Sequence, residues 1–273
     1  MQITGGELII STRPSMLQLR LLDRMSHEGT DMMSFKFTRS DDQQQNQYLN
    51  YKAGQYAVVD LGTKDDPEGP MRSFTIASSP TEEKFILIST RIRDTPFKKK
   101  LANLDLGTLV KITAPLGKFV LPEDNNSKSV VFLSGGIGVT PFRSMIKYAT
   151  DKQLPIKIMM FDSNRNEENI LYRTDFDRCV RSNNSLKIVY TITGEGQEDS
   201  SSSIATTGED DWKGESSFIN KAMLTKYLTS HDLDNSIFYI CGPPGMLKAM
   251  HNLLQDDLHI PKERIKIEEF TGY

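Results

Sequence analysis

The stretch that most constrains this chain runs from Val130 to Pro141, Val-Val-Phe-Leu-Ser-Gly-Gly-Ile-Gly-Val-Thr-Pro. A short apolar run closed by turn residues reads as a strand covered on both faces. Gly135, Gly136 and Gly138 then let the backbone come close to a bound group. Thr140-Pro141 suits a helix start, because proline at the first helical position gives up no needed N–H and already has helical φ. Strand, tight loop and helix N-terminus together make an anion site of free N–H groups at the positive end of a helix dipole, and a pyrophosphate is the expected anion. Proline stands where the usual dinucleotide fingerprint has its third glycine. Glycine turns after strands also occur in folds that bind nothing, so this motif needs support from the rest of the chain.

With 273 residues the chain has room for two domains with real cores. Its 37% hydrophobic and 25% charged content is that of ordinary globular protein, and a net charge of −3 gives no basic surface for nucleic acid. No apolar run reaches the length of a membrane span and the first residues lack a signal-peptide pattern, so the expected location is cytoplasmic. Two cysteines, Cys179 and Cys241, are too few for a cysteine-ligated iron–sulfur cluster or an all-cysteine zinc site. His27, His231, His251 and His259 have no metal-binding spacing.

The front of the chain alternates apolar and polar residues over 16–23 and 32–39, and the pattern continues over 54–61, 72–77, 84–92 and 109–114. Six short strands with turns between them predict a small antiparallel barrel. One helix interrupts it, announced by Asp94-Thr95-Pro96 and the helical spacing of Phe97, Leu101 and Leu104. The polar run Asp41 to Gln47 reads as a loop. From Ser129 onward strands alternate with helices, which predicts a parallel sheet. Helices are expected over about 141–152, 169–183, 219–230 and 244–257. The boundary is placed near Pro122 to Lys128, giving domains at 14–123 and 124–273, and the polar segment Glu195 to Glu209 is too hydrophilic to pack.

Six motifs occur in this order: Gly54-Gln-Tyr; Arg72-Ser-Phe-Thr with Ser78-Ser-Pro; Pro115-Leu-Gly-Lys-Phe; Gly135-Gly-Ile-Gly-Val-Thr-Pro; Cys241-Gly-Pro-Pro-Gly-Met; and Glu268-Glu-Phe. In order and spacing they resemble the ferredoxin–NADP reductase superfamily over roughly residues 14 to 273. The resemblance implies an FAD-binding antiparallel barrel followed by an α/β Rossmann-like domain for NAD(P), without an iron–sulfur domain. It also implies site residues. Arg72 would face the flavin pyrophosphate, where a guanidinium can donate two parallel bonds. Ser73 lies on the same strand, Phe74 would line the flavin, and Thr75 would hydrogen-bond near the hydride-accepting N5. Arg91, Ile92 and Thr95 would add to the FAD site, although Asp94-Thr95-Pro96 replaces the family's glycine-serine turn. Gly135, Gly136, Gly138, Thr140 and Pro141 are then left for the nicotinamide nucleotide. Cys241, with Gly242, Pro243 and Met246, would orient hydride transfer at the sheet's carboxyl edge. Phe270 takes the place of the stacking C-terminal aromatic, but Tyr273 lies three residues on, and the choice between them is open.

Asp162 ends the second strand of this half and in an ordinary dinucleotide fold would bind a ribose 2′-OH, which favours NADH. The family's 2′-phosphate is read after the third strand, where Thr193-Gly194-Glu195 offers no arginine; Arg165 and Lys187 are compensating candidates. The expected activity is hydride transfer from NAD(P)H to FAD, then single electrons to a separate carrier such as ferredoxin. Lys98-Lys99-Lys100 is a candidate docking run for that acidic partner, against the plainer reading of a solvated helix face. The alternatives are a flavin or small-molecule reductase, an electron-transfer component of a larger redox complex, and a nucleotide-sensing module without catalysis.

Overall fold

The computed structural model describes residues 13–39, 49–122, 129–194 and 212–269. The expected loop at 41–47, the polar segment at 195–209, most of the boundary stretch, and both Phe270 and Tyr273 lie outside the described residues.

The first half is the expected antiparallel sheet. Its six strands, β1 (Ser15–Ser26), β2 (Met32–Arg39), β3 (Tyr56–Asp60), β4 (Met71–Thr75), β5 (Ile86–Arg91) and β6 (Leu109–Leu116), lie in the order β4-β3-β6-β1-β2-β5. Period-two alternation sends Leu19, Leu21, Phe35, Phe37, Ile86, Ile88, Val110 and Ile112 into one core. An irregularity in the pairing between Leu21 and Asp23 sets off Leu22, which is exposed. The edges are drawn together beyond β4, where the Ala77 N–H donates to the Leu87 carbonyl at 2.7 Å and the Leu87 N–H donates to Ser78 Oγ at 3.0 Å. Helix α1 (Pro96–Ala102) plugs this near-barrel with Phe97 and Leu101, its first turn capped by Thr95 Oγ1.

The second half is a five-stranded parallel sheet ordered β11-β10-β7-β8-β9. The strands are β7 (Ser129–Gly135), β8 (Lys157–Asn164), β9 (Leu186–Ile192), β10 (Ile237–Cys241) and β11 (Ile265–Glu268). Helices α2 (Thr140–Asp151) and α3 (Arg173–Ser182) cover one face, on which Val130, Phe132, Ile158, Met160 and Tyr239 are buried. Helices α4 (Lys221–Tyr227) and α6 (Pro244–Asn252) cover the other, over Val131, Leu133, Phe161, Phe238 and Ile240. Two expectations need correction. The helix expected over 219–230 stops at Tyr227, and a separate helix α5 (Ser230–Asn235) begins at a Thr229–Asp232 capping box. The helix expected from 244 is regular only to Asn252 and finishes in a π-helical turn, Leu253–Asp257.

A buried polar clamp joins the halves. Arg143 of α2 is 6% exposed, and it donates to Glu82 on the barrel side at 2.9 and 3.1 Å, to Asp175 at 2.9 Å and to the Ala77 carbonyl at 2.8 Å. Ser144 Oγ donates to the Ser78 carbonyl at 2.6 Å beside it. Tyr172 donates its hydroxyl across the same junction to Ser89, and does so from a left-handed backbone at φ 63°. For a bulky side chain that conformation costs about 1–3 kcal/mol, so the surrounding contacts must hold it.

Candidate functional site

At the glycine turn the strand β7 runs into a single 3₁₀ turn, Gly136–Val139, and straight on into α2. Gly136 has φ 53°, a conformation that glycine adopts without strain. Gly138 is required for a different reason: a Cβ there would collide with the Cys241 carbonyl and Gly242. Gly135 packs against the Met246 sulfur and Pro243. Thus the Cys241-Gly-Pro-Pro-Gly-Met turn is the wall behind the glycine turn, and the two motifs form one backbone cradle at the carboxyl edge of β7 and β10. Thr140 and Pro141 are buried in the start of α2, where Thr140 Oγ1 donates to the Ile137 carbonyl at 3.1 Å.

Across that edge the pairing register lines up Glu268, Cys241, Ser134, Asp162 and Tyr190. Cys241 is wholly buried, which pushes its thiol well above the usual range, so it is a neutral thiol and not a thiolate nucleophile. Glu268, its partner on β11, has its carboxyl raised to about 7 by burial. Only the C-terminal motif string drew attention to Glu268 in the sequence; the strand pairing is what puts it beside Cys241. Asp162 is also fully buried, and Oδ2 accepts from Asn164 Nδ2 at 2.9 Å. A ribose-reading carboxylate would stand open at the strand end, and this one does not. Arg165 is exposed. Lys187 pairs with Met159 near the amino end of β9, five residues or roughly 17 Å of strand before Ile192, and so stands away from the carboxyl edge.

On the barrel, β4 divides its motif between two faces. Arg72 and Phe74 turn toward the core and α1, whereas Ser73 is exposed. The Arg72 guanidinium pairs with Asp66 and with Glu68, the latter at 3.0 Å, and lies over the Phe97 ring at 5.2 Å. Asp66 in turn accepts the Phe97 N–H at 2.8 Å, so Arg72 and Asp66 fasten α1 to the barrel. Phe74 stacks on Phe97 with centroids 6.1 Å apart and is 6% exposed, a core aromatic in this structure. Thr75 faces the other way. It is 4% exposed and its Oγ1 has no hydrogen-bond partner among the described residues, an unmet donor and acceptor of the kind a bound polar group satisfies.

The three-lysine run does not behave as one patch. Lys98 is buried, lies 4.8 Å above the Phe74 ring and donates to Thr90; burial, with Arg72 and Arg93 nearby, lowers its ammonium to about 8. Lys99 and Lys100 are exposed, Lys99 paired with Asp94 and Lys100 donating to the Leu61 carbonyl at 2.6 Å. Arg91 and Ile92 follow at the end of β5. Arg91 pairs with Asp31 and reaches across the domain junction, so that a Cβ on Gly136 would sit 3.3 Å from its guanidinium. The barrel therefore supplies a cation to the glycine turn of the other half. Among the described residues no group of three or more His, Cys, Asp or Glu side chains is placed to hold a metal, and no helix is long and apolar enough to cross a membrane.

This arrangement, an antiparallel near-barrel facing the carboxyl edge of a parallel sheet, is that of a two-domain flavin and nicotinamide nucleotide oxidoreductase. Residues 19–121 match the oxidoreductase FAD-binding domain and residues 132–252 the oxidoreductase NAD-binding domain. The chain belongs with the ferredoxin reductase superfamily and carries NAD(P)H-dependent flavoprotein reductase domains. Among curated relatives it is 28% identical over 233 residues to one component of the Na(+)-translocating NADH-quinone reductase of Idiomarina loihiensis, covering 80% of this chain and 52% of that one. The chain thus spans about half the length of the curated relatives it matches. The fold matches the cytochrome b5 reductase domain of Ulva prolifera nitrate reductase with a TM-score of 0.74 at 23% identity, over 93% of this chain and 97% of that one. It also matches a ferredoxin NADP+ reductase of Neisseria gonorrhoeae with a TM-score of 0.67 at 18% identity, over 93% and 98%.

Proposed function

We propose that this protein takes hydride from NADH or NADPH through a bound FAD and hands the electrons on singly to a separate carrier protein such as a ferredoxin. The observation that carries the reading is the reach of Arg91 from the barrel to Gly136 of the glycine turn, which sets the two nucleotide regions against each other at one junction. The residues present fit both groups. A buried hydroxyl without a partner on Thr75 suits the flavin ring, and a cradle at Gly138 that a Cβ would fill suits a close-lying dinucleotide.

Bound FAD would supply the step from two-electron to one-electron chemistry. The chain's own residues bind, orient and handle protons. Thr75 Oγ1, buried and without a partner among the described residues, would hydrogen-bond the flavin. The Gly135–Gly138 backbone and Arg91 hold the dinucleotide phosphates. Cys241, neutral and buried behind the glycine turn, would give a small apolar backing to the nicotinamide site. Glu268, with its carboxyl raised to about 7 by burial, can hold or release a proton beside Cys241 at neutral pH. Arg72 acts first on Asp66 and α1, and reaches the flavin pyrophosphate only by giving up part of that pairing. The stacking aromatic that the resemblance implies, Phe270 or Tyr273, lies outside the described residues.

NADH is the donor this reading leans to, because Thr193-Gly194 itself carries no arginine and Lys187 is too far down β9; the cation that would favour NADPH instead is exposed Arg165, whose carbonyl accepts the Gly194 N–H at 2.9 Å. The likeness to half of one quinone reductase component favours a second reading, in which the same module delivers electrons inside a larger redox complex. Reconstitution decides the first step: the protein with FAD should be yellow and retain the flavin through gel filtration. Failure to bind FAD under any condition would sink the proposal. Turnover with a ferredoxin and with a cytochrome, NADH as donor, then separates one-electron delivery from small-molecule reduction, which would instead favour a free flavin or quinone.

A further inference from the structure

The row of residues at the sheet edge contains more buried polarity than hydride transfer uses. Ser134, Asp162 and Cys241 are each 0% exposed, and Ser134 and Asp162 are paired neighbours on β7 and β8. One carboxylate oxygen of Asp162 accepts from Asn164. The other, together with Ser134 Oγ, Asn164 Oδ1 and the Tyr190 hydroxyl, has no hydrogen-bond partner among the described residues. The nearby Ser134 hydroxyl and Asn164 favour the carboxylate only in part; without a cation it stays expensive to bury, and a proton on it converts an orphan acceptor into a donor.

The charged surroundings give it no compensation. On β9, Tyr190 holds its own proton, its hydroxyl raised by burial and by Asp162. On α3, Arg173 is bound to Glu167 and stacked beside the Tyr190 and Trp212 rings, and Asp177 and Cys179 act on Tyr190. On α2, Arg143 is committed to Glu82 and Asp175. On β10 and β11 the row continues with Cys241 and Glu268, both with raised pKa values. Burial outweighs the opposing influence of the Ser134 hydroxyl and Asn164 and holds the Asp162 carboxyl up at about 7.

Its position decides what that proton does. Asp162 pairs with Ser134, the residue before Gly135, and Ser163 pairs with Gly135 itself, so Asp162 lies on the neighbouring strand, about 4.8 Å away across the ladder and one residue short of the glycine turn. We infer that this cluster makes dinucleotide binding proton-linked: phosphates settle on the glycine turn as Asp162 takes up a proton. The inference rests on the nicotinamide-nucleotide reading of that turn. The sign follows from charge. An anion beside a buried carboxyl disfavours the carboxylate, so the bound pKa lies above the free one. Binding is therefore strongest with Asp162 neutral and weakens as pH rises from the free pKa to the bound pKa. A ribose hydroxyl donating to an Asp162 carboxylate would do the opposite, releasing a proton on binding.

Calorimetric titration of the FAD-loaded protein with NAD+ and with NADP+, in buffers of different ionisation enthalpy, reads the proton count directly. The expected result is net uptake near pH 7, approaching one proton per nucleotide, with Kd rising up to about tenfold per pH unit across the interval. Asp162→Asn should abolish the uptake and flatten the pH dependence. If that variant does not fold, Asn164→Leu gives the second arm: losing the donor to Oδ2 should move the uptake profile to higher pH. Net release, no exchange, or an unmoved profile in Asn164→Leu would overturn the linkage while leaving nucleotide binding intact. No nucleotide binding at any pH would instead overturn the reading of the glycine turn itself, and this inference with it.

Discussion

The two nucleotide regions of this molecule are built on opposite plans. On the barrel, the charged and aromatic groups are spent on each other: Arg72 on Asp66 and Glu68, Phe74 on Phe97, Lys98 on Thr90 and the Phe74 ring. At the sheet edge, backbone makes the cradle, while Asp162 Oδ1, Asn164 Oδ1 and the Tyr190 hydroxyl are left without partners among the described residues. The difference teaches that a motif residue's type does not fix its first duty. A guanidinium on the strand expected to hold a pyrophosphate serves the fold before any ligand arrives. A carboxylate on the strand expected to read a ribose is buried beneath the site.

Arg72→Ala in the flavin-free protein should have the largest effect. It leaves the Asp66 carboxylate, with a side chain 1% exposed, without its cation. Removing the cation from a carboxylate that also accepts the Phe97 N–H should lower the urea midpoint by more than Gly138→Ala, Asp162→Asn or Tyr190→Phe, before any cofactor is added. An unchanged midpoint would mean that Arg72 is free for the flavin after all. Gly138→Ala should come next, at about 1–3 kcal/mol, because the added methyl meets the fixed Cys241 carbonyl, and nicotinamide nucleotide binding should weaken with it. Thermal shift with and without NAD+ checks both effects.

Stability against pH probes the sheet edge as a whole. Asp162 and Glu268 both rise to about 7 from unfolded values of 3.8 and 4.5. The folded state thus binds more protons than the unfolded state between about pH 4 and 7, and their contribution falls as pH rises through that window. The difference in ΔG between pH 5 and pH 8 should shrink in Asp162→Asn by about 1 kcal/mol or more. A slope unchanged by the substitution would show the carboxyl to be ionised throughout. The smallest effect is Tyr190→Phe, which removes a buried hydroxyl that has no partner among the described residues. It should be neutral or stabilising by up to about 1 kcal/mol, in contrast to Arg72→Ala; a loss above that would reveal a partner for the hydroxyl.

Much of the fold was legible because its signals are periodic. The alternation through Phe35 and Phe37 marks β2, and the unbroken run through Val130 and Phe132 marks a strand covered on both faces. Helix ends were less legible where caps compete: Thr229 begins a new helix because its hydroxyl and the Asp232 carboxylate satisfy each other's backbone, a signal present in the sequence as Thr-Ser-His-Asp. The glycine and cysteine turns could be paired as motifs, but that one forms the wall of the other depends on β7 and β10 being neighbours. Register lay beyond sequence reading altogether. Nothing local to Glu268 or Asp162 says that they share a row with Cys241, and the lysine run reads as a patch until α1 is rotated onto the barrel and buries Lys98.

Anaerobic stopped-flow mixing of the FAD-loaded protein with NADH and NADPH tests the adjoining of the two regions most directly. Rapid bleaching of the oxidised flavin band is expected, faster with NADH, and at least about tenfold slower in Thr75→Ala, where the buried hydroxyl is gone. A protein that holds FAD and binds NAD+ yet stays oxidised with either donor would contradict it.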